Sequence, residues 1–258
     1  MSTTADWLAA VRGSHDRLAG IVAALDAGAL ERPSACAPWT VAQVLSHLGS
    51  QAEIFSLFVD AGAAGVDAPP RDAFGPIWDA WNARSPQDQA TDSISANEVL
   101  VSRLEMLDDV SLRGFRLELF GRTLDADGLL RMRLSEHSVH TWDVEVAFDA
   151  TAVVAGDAVD LLIDGLGETA SRSGRAPAEP LRASVSTSSP ARRFTLVTAD
   201  DVRLEPAGAT DEERSIALPA EVLLRLVYGR LGDDQPARGP VTSSGVELAD
   251  LRQIFEGY

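Results

Sequence analysis

Lysine is missing from this chain of 258 residues, and its absence removes whole classes of chemistry. All 22 basic residues are arginine, so Schiff-base chemistry on a lysine and the lysine-containing Walker phosphate loop are both excluded. Cysteine is almost missing as well. Because Cys36 stands alone, no internal disulfide can form, and the sequence predicts a protein of the reducing cytoplasm.

Long apolar runs and excess positive charge are also absent. No apolar stretch approaches the roughly 20 residues that span a bilayer, and the first residues lack the basic region of a signal peptide. The net charge of -17 argues against nucleic acid and anionic membranes as partners, since both bind basic surfaces. We expect small-molecule partners and a monomeric or weakly dimeric chain.

Helical periodicity dominates residues 1–150. Apolar positions recur at helical spacing in four long stretches, at about 5–27, 40–58, 93–109 and 127–148. Thr40 and Gln43 form a capping box that marks the start of the second stretch. The pattern predicts a four-helix bundle, a fold that builds metal sites from inward side chains on facing helices.

The pattern changes beyond residue 151, where apolar and polar residues begin to alternate. Period-two segments predict strands at 181–187, 193–198, 202–205 and 215–218. Further helices are predicted at 159–170, from Pro219 to about Gly229, and at 248–255. Residues 151–258 therefore read as a small α+β domain, and the chain as a whole as α+β.

The predicted helix 127–148 carries the most informative side chains. Its apolar positions mark one face, on which Glu136 also falls, with His140 beside it. A carboxylate in a core is costly unless it is paired, hydrogen-bonded or bound to a metal. Glu136 and His140 stand one helical turn apart, a spacing from which both can reach one divalent cation. A third ligand must come from elsewhere, and His47 on the second helix is the candidate.

The remaining polar residues near this pattern have open interpretations. His15 lies on the apolar stripe of the first helix, either as a core histidine or as part of the same cavity. His137 points about 100° away from Glu136 and is left out of the ligand set. Asp143 could orient a ligand histidine or pair with a buried arginine. Cys36 lies in a loop and is interpreted as incidental.

These residues resemble a known family. The chain resembles the mycothiol-dependent maleylpyruvate isomerase family, which belongs to the DinB-like metalloprotein superfamily. The residues that carry the resemblance are His47, the E-x-x-x-H pair of Glu136 and His140, and the segments Trp39-Thr40-Val41 and His140-Thr141-Trp142-Asp143. Supporting segments are Leu223 to Arg230 and Phe255 to Tyr258. The resemblance covers essentially the whole chain. It implies a DinB-like four-helix bundle at 1–150 and a small α/β domain at 151–258.

The resemblance also implies a chemistry. It places a divalent metal, usually zinc, on His47, Glu136 and His140, and makes mycothiol, the small thiol of actinobacteria, the cosubstrate. A thiol on zinc becomes a thiolate at neutral pH. The thiolate would isomerise a maleylpyruvate-like acid by addition and elimination, or would transfer to an electrophile. Arg230 matches the arginine that ends the family's C-terminal helix, as an anion contact at the domain interface, although it could instead cap its own helix.

Two other functions remain open from the sequence. A thiol-independent metal hydrolase would use bound water as the nucleophile. A non-enzymatic small-molecule binding protein would have a structural metal or none. Thiol-independent turnover would favour the hydrolase, and an intact protein without metal would favour the binding protein.

Overall fold

A computed structural model describes residues 2–208 and 212–257. The chain divides into two compact units, Met1–Val153 and Val154–Tyr258. The sequence pattern predicts this division between residues 150 and 151. Tyr258, the last residue of one segment that supported the resemblance, lies outside the described residues.

The first unit is helical and contains one short hairpin. Its elements in chain order are α1 (Thr4–Val22), α2 (Ala27–Leu30), α3 (Val41–Ala64), α4 (Gly75–Asn82), α5 (Pro86–Glu105), α6 (Asp109–Gly114), β1 (Leu117–Leu119), β2 (Arg122–Leu124) and α7 (Ala126–Glu145). The long helices α1, α3, α5 and α7 pack against one another as a bundle. The predicted four-helix bundle is confirmed.

Side-chain caps fix where the long helices begin. The predicted capping box is present, because Gln43 N donates to Thr40 Oγ1 at 3.3 Å and Thr40 N donates to Gln43 Oε1 at 2.9 Å. Asp125 caps α7 by accepting from Gly128 N at 2.8 Å. Helix α5 begins at Pro86 after the cap Ser85, well before the predicted residue 93. Its first two turns are mostly polar, so apolar periodicity could not reveal them.

The centre of the bundle is apolar and closely packed. A fully buried cluster joins α1, α2, α3, α5 and α7, and consists of Leu18, Leu30, Val41, Ala42, Val44, Leu45, Leu48, Ala90 and Val144. Helix α3 approaches α4 at Gly49, where an added Cβ would lie 2.1 Å from a ring carbon of Trp81. Trp81 is fully buried. This contact holds α3 at a fixed distance from its neighbour.

The second unit combines helices with one mixed sheet. Its elements are α8 (Gly156–Leu162), α9 (Leu166–Ser173), β3 (Leu181–Ser188), β4 (Arg192–Thr198), β5 (Val202–Pro206), β6 (Ser215–Pro219), α10 (Ala220–Val227), β7 (Thr242–Ser244) and α11 (Leu248–Ile254). The strand order is β5-β4-β3-β6-β7. Strands β3 and β6 run parallel, and the other neighbours are antiparallel. The predicted α+β class is confirmed.

Three features differ from the sequence prediction. The sequence predicts no strand in residues 112–123, but β1 and β2 form a hairpin there that turns through Phe120 and Gly121, both with positive φ. Strand β7 was not predicted, because all three of its residues are exposed and show no alternation. The predicted helix 159–170 is instead two helices, α8 and α9, joined by a 3-10 turn. Within residues 2–208 and 212–257, no helix has both the length and the apolar character needed to cross a membrane.

Candidate metal centre

Three polar side chains converge between α3 and α7. His47 extends from the second turn of α3, and Glu136 and His140 stand one turn apart on α7. Glu136 Oε2 lies 3.3 Å from His47 Nε2 and 3.9 Å from His140 Nε2. The two imidazole rings are 4.8 Å apart between centroids, at an angle of 70°. The structure thus brings together all three residues that the sequence analysis selected as metal ligands.

The spacing of the donor atoms suits a single divalent cation. One donor atom from each of the three residues lies within 4.8 Å of the other two. Ligands bound at about 2.0–2.1 Å in a tetrahedron are about 3.3–3.4 Å apart. The pair His47 and Glu136 already has this separation, and the pair His140 and Glu136 would need a contraction of a few tenths of an ångström. The donor set therefore fits zinc, although metal binding itself stays a prediction.

The donor set is accessible from one side. The side chains of Glu136, His47 and His140 are 38%, 21% and 12% exposed, respectively. Structural zinc sites are closed by four protein ligands, whereas catalytic sites keep a position open for water or substrate. Helical periodicity predicts Glu136 on the core-facing stripe of α7, but in the structure its side chain is partly exposed. An exogenous ligand can reach such a centre.

A buried carboxylate orients His140. Its Nδ1 lies 2.9 Å from Asp143 Oδ2, and the Asp143 side chain is fully buried. Because Asp143 occupies Nδ1, the opposite nitrogen Nε2 is directed to Glu136. A hydrogen bond from a ligand histidine to a carboxylate is a common feature of metal sites. Of the two interpretations that the sequence left open for Asp143, the contact supports the orienting one.

Trp39 and Cys36 complete the edge of the centre. The Trp39 ring packs on His47 and His140, with centroids 5.1 and 6.2 Å apart. Cys36 Sγ lies within 4.8 Å of donor atoms of His140 and Asp143. From the sequence alone Cys36 is incidental, because no periodic signal connects its loop to α7. Only the fold brings this thiol to the centre.

The electrostatics of the centre favour an ionised carboxylate. Burial would by itself raise the pKa of Glu136, but the hydrogen bond with His47 and the charge of His140 lower it to about 2. Burial lowers the pKa of His47 despite its contact with Glu136, so this imidazole is neutral and able to donate a lone pair. Burial also acts to lower the pKa of His140, but hydrogen bonds with Asp143 and Cys36 raise it to about 9. A cation that binds to His140 Nε2 near neutral pH would therefore have to displace one proton from this imidazole.

The other two histidines lie apart from these donors. His15 is buried, and its Nε2 lies 3.0 Å from Glu98 Oε2. His137 is buried on another face of α7, where its Nδ1 lies 2.8 Å from Ser14 Oγ. Among the described residues, neither histidine belongs to a cluster of side chains that could ligate one metal ion. The rotation of about 100° per residue on a helix explains why His137 points away from Glu136.

Arg230 lies in the second unit, directly after α10. Its Nη1 donates to Tyr228 O at 3.1 Å, a contact with its own helix end. Gly229, with φ of 66°, ends the helix in the left-handed conformation. The contact with Tyr228 is of the kind that the helix-capping interpretation predicts. The role of Arg230 as an anion contact stays a prediction.

Sequence reasoning missed Arg225, which supports the segment containing Arg230. This buried side chain pairs with Glu221 at 2.7 Å and donates to the carbonyl oxygens of Arg230, Gln235 and Pro236. The signal in the sequence was the i,i+4 pair with Glu221, which is usually a feature of exposed helix faces.

Comparison with known proteins agrees with this architecture. The family profile described as "Mycothiol maleylpyruvate isomerase N-terminal domain" matches residues 11–145, just over half of the chain. Two solved structures are similar in fold, the crystal structure of the mycothiol-dependent maleylpyruvate isomerase and that of a mutant with one histidine replaced by alanine. Each is 16% identical in sequence with a TM-score of 0.70, and each match covers 96% of this chain and 98% of that chain. No curated protein sequence matches significantly.

The fold and the donor set together define a class of protein. Proteins of this class have a four-helix bundle with a His–Glu–His cluster, followed by a small α+β unit. Because the family profile spans most of the bundle, the chain belongs to the mycothiol-dependent maleylpyruvate isomerase family.

Proposed function

We propose that this chain is a metal-dependent enzyme that uses mycothiol as a cosubstrate. Its reaction is the cis-trans isomerisation of a maleylpyruvate-like unsaturated acid or the transfer of the thiol to an electrophile. The observation that carries the proposal is the accessible cluster of His47, Glu136 and His140, in a chain of this family. A thiol cosubstrate and a single cysteine are compatible with the reducing cytoplasm of an actinobacterium, the source that we propose.

Each residue of the centre has a defined task in this proposal. His47, Glu136 and His140 would hold a divalent cation, and their nitrogen and carboxylate donors suit zinc. A cation held there would lower the pKa of a thiol, so that the thiolate would exist at neutral pH. Asp143 holds the ring of His140 so that Nε2 faces the donors. Trp39 covers the two imidazoles on one side.

The isomerisation needs only the thiolate and a held substrate. The sulfur adds to one carbon of the activated double bond, and the electron pair of that bond moves to the conjugated carbonyl group. Rotation about the resulting single bond and loss of the same sulfur give the other geometric isomer, with no net consumption of thiol. Arg230 is proposed to hold a substrate carboxylate, because its planar fork matches two oxygen atoms.

A thiol-independent hydrolase is the second candidate. Two histidines and one glutamate with an open position also form the donor set of zinc hydrolases, in which bound water is the nucleophile. The two candidates differ in one requirement. Turnover that continues without mycothiol supports the hydrolase, and turnover that stops without it supports the isomerase or transferase.

The first experiment measures metal content by elemental analysis. We expect about one zinc per chain in the parent and a loss of most of it in His47→Ala, since two ligands hold a metal weakly. The matched control is His15→Gln, which changes a buried histidine outside the donor set and should leave zinc bound. Full occupancy in His47→Ala would remove His47 from the centre.

The second experiment tests thiol dependence and Arg230. Turnover of an unsaturated dicarbonyl acid is measured with and without mycothiol, in the parent and in Arg230→Met. We expect no turnover without thiol and, in the variant, a rate reduced by about 10–100-fold, the cost of losing hydrogen bonds to a charged group. Zinc content should stay unchanged in the variant. An unaltered rate in Arg230→Met would mean that this arginine only caps the C-terminal end of its helix and does not bind the substrate.

A further inference from the structure

Arg133 is buried inside the bundle without a complete set of partners. It lies on α7, one turn before Glu136, with a side chain that is 1% exposed. Its Nη2 donates to Asn97 Oδ1, and its guanidinium carbon lies 5.3 Å from the centroid of the Phe55 ring. Its Nη1 is buried and has no hydrogen-bond acceptor among the residues that the structure describes. Buried donors without an acceptor are uncommon in native proteins, and a bound ion, a water molecule or a functional role can account for them.

The charge of Arg133 is also incompletely compensated. Within residues 2–208 and 212–257, no carboxylate lies within ion-pair distance of its guanidinium. Burial lowers the pKa of Arg133 to about 10, so the group stays protonated at neutral pH. Glu136 acts on it only through space, and a cation held by Glu136 would neutralise that effect. A buried charge without a close counter-charge is strongly destabilising.

Asn97 is fixed so that only its oxygen faces Arg133. Its Nδ2 donates to Ser93 O at 2.8 Å on the preceding turn of α5. The amide therefore presents Oδ1 to Nη2 and leaves Nη1 to another acceptor. Among the described residues, the bundle therefore supplies an acceptor for Nη2 of the guanidinium but none for Nη1.

His137 adds a second orphaned atom one turn further along α7. Its Nδ1 lies 2.8 Å from Ser14 Oγ and 3.3 Å from Thr141 Oγ1. When a hydroxyl donates to Nδ1, the ring proton is on Nε2. That Nε2 is buried and has no partner among the described residues. Residues four apart on a helix are neighbours, so the two buried nitrogen atoms without a partner belong to one face of α7.

We propose that Arg133 Nη1 and His137 Nε2 form a binding site for a carboxylate group inside the bundle. A carboxylate has two acceptor oxygens and supplies the negative charge that Arg133 lacks. Two sources share this chemistry, a free small carboxylate and the carboxylate of the electrophile. The second source rests on the proposed function, whereas the first does not.

The test measures thermal unfolding of the zinc-loaded protein while sodium formate replaces sodium chloride at constant ionic strength. At a concentration about tenfold above the dissociation constant, we expect the midpoint of the parent to rise by about 3–6 °C. In Arg133→Met the rise should vanish. The matched control is Arg131→Met, which removes an exposed guanidinium on the same helix and should keep the rise. An equal rise in Arg133→Met, or none in the parent, would overturn the site.

Two further variants keep the test decisive. Arg133→Lys retains the buried charge but lacks the planar fork, and it should fold and show a clearly smaller rise even if Arg133→Met does not fold. In His47→Ala, which lacks the metal centre, the formate response should persist. A response that disappears in His47→Ala and survives in Arg133→Met would place formate on the metal and reject the proposal.

Kinetics then identify the source of the carboxylate. If the substrate uses this site, Arg133→Met raises KM about tenfold or more while Arg131→Met leaves it unchanged. An unchanged KM together with a lost formate response assigns the site to free carboxylates. A complete lack of thiol-dependent turnover would reject the proposed function, but the formate response of the parent and its loss in Arg133→Met would still establish the site.

Discussion

At the scale of single residues, the centre depends on the orientation and the charge of His140. Asp143 accepts the Nδ1 hydrogen bond and is fully buried, so its negative charge acts on the imidazole with little screening. The same contact has two consequences. It makes Nε2 a better electron-pair donor to a cation. It also stabilises the protonated imidazole, so that a cation binding to Nε2 would have to displace that proton.

The substitution Asp143→Asn separates these two consequences. Because the pKa of His140 is raised to about 9, metal binding by the parent releases a proton below that pH, and its affinity should rise about tenfold per pH unit from pH 7 to 9. Without the charge of Asp143, the pKa of His140 returns toward its ordinary value of about 6.5, and the affinity of the variant should be nearly constant over this range. At pH 9 and above, the variant should bind zinc about 10–100-fold more weakly.

Competition with a chelator measures both affinities. Asp79→Asn, which alters an exposed aspartate on α4, serves as the control and should follow the parent. Parallel pH profiles for the parent and Asp143→Asn would contradict the assigned role of Asp143.

At the scale of elements, the position of α3 decides whether His47 reaches α7. Two residues beyond His47, Gly49 allows the Trp81 ring to pack directly on the helix backbone. A larger residue would have to move the ring or the helix, because the added Cβ would overlap ring carbons at 2.1 and 2.2 Å.

Gly49→Ala therefore reverses the usual effect of this substitution. In an open helix, alanine is more favourable than glycine by up to about 1 kcal/mol. Here we expect the free energy of unfolding to fall by about 1–3 kcal/mol, the typical cost of overpacking. Gly20→Ala on α1 is the matched control, since nothing lies within 4 Å of its added Cβ, and it should be neutral or stabilising. Denaturant unfolding measures both, and equal stability of Gly49→Ala and the parent would show that the ring yields at no cost.

At the scale of the whole molecule, the unfolding of the two units can be followed by different spectroscopic signals. The first unit contains all five tryptophans of the chain, namely Trp7, Trp39, Trp78, Trp81 and Trp142. It also contains the three proposed metal ligands, His47, Glu136 and His140. Tryptophan fluorescence therefore follows the unfolding of the first unit, whereas circular dichroism follows both units.

Zinc should stabilise this unit by mass action. At about one hundred times its dissociation constant, a ligand of the folded state adds about 2.7 kcal/mol, which corresponds to about 5–10 °C for a unit of this size. We expect the fluorescence midpoint of the parent to rise by this amount and that of His47→Ala to stay unchanged. An equal rise in the two proteins would mean that zinc binds elsewhere.

The sequence by itself determined what is local along the chain. Helical and strand periodicity predicted the bundle and four of the strands, and the box of Thr40 and Gln43 predicted the start of α3. The spacing of Glu136 and His140 placed them one turn apart because a helix repeats every 3.6 residues. Propensity, periodicity and caps act over a few residues, so a single sequence reveals them.

Only the tertiary structure decided what depends on distant parts of the chain. His47 meets Glu136 across 89 residues of sequence, and Ser14 meets His137 across 123. The start of α5, the parallel pairing of β3 with β6 and the orphaned Nη1 of Arg133 have no local pattern either. Packing selects these contacts through the shape and volume of the whole core, and no short window of sequence contains that information.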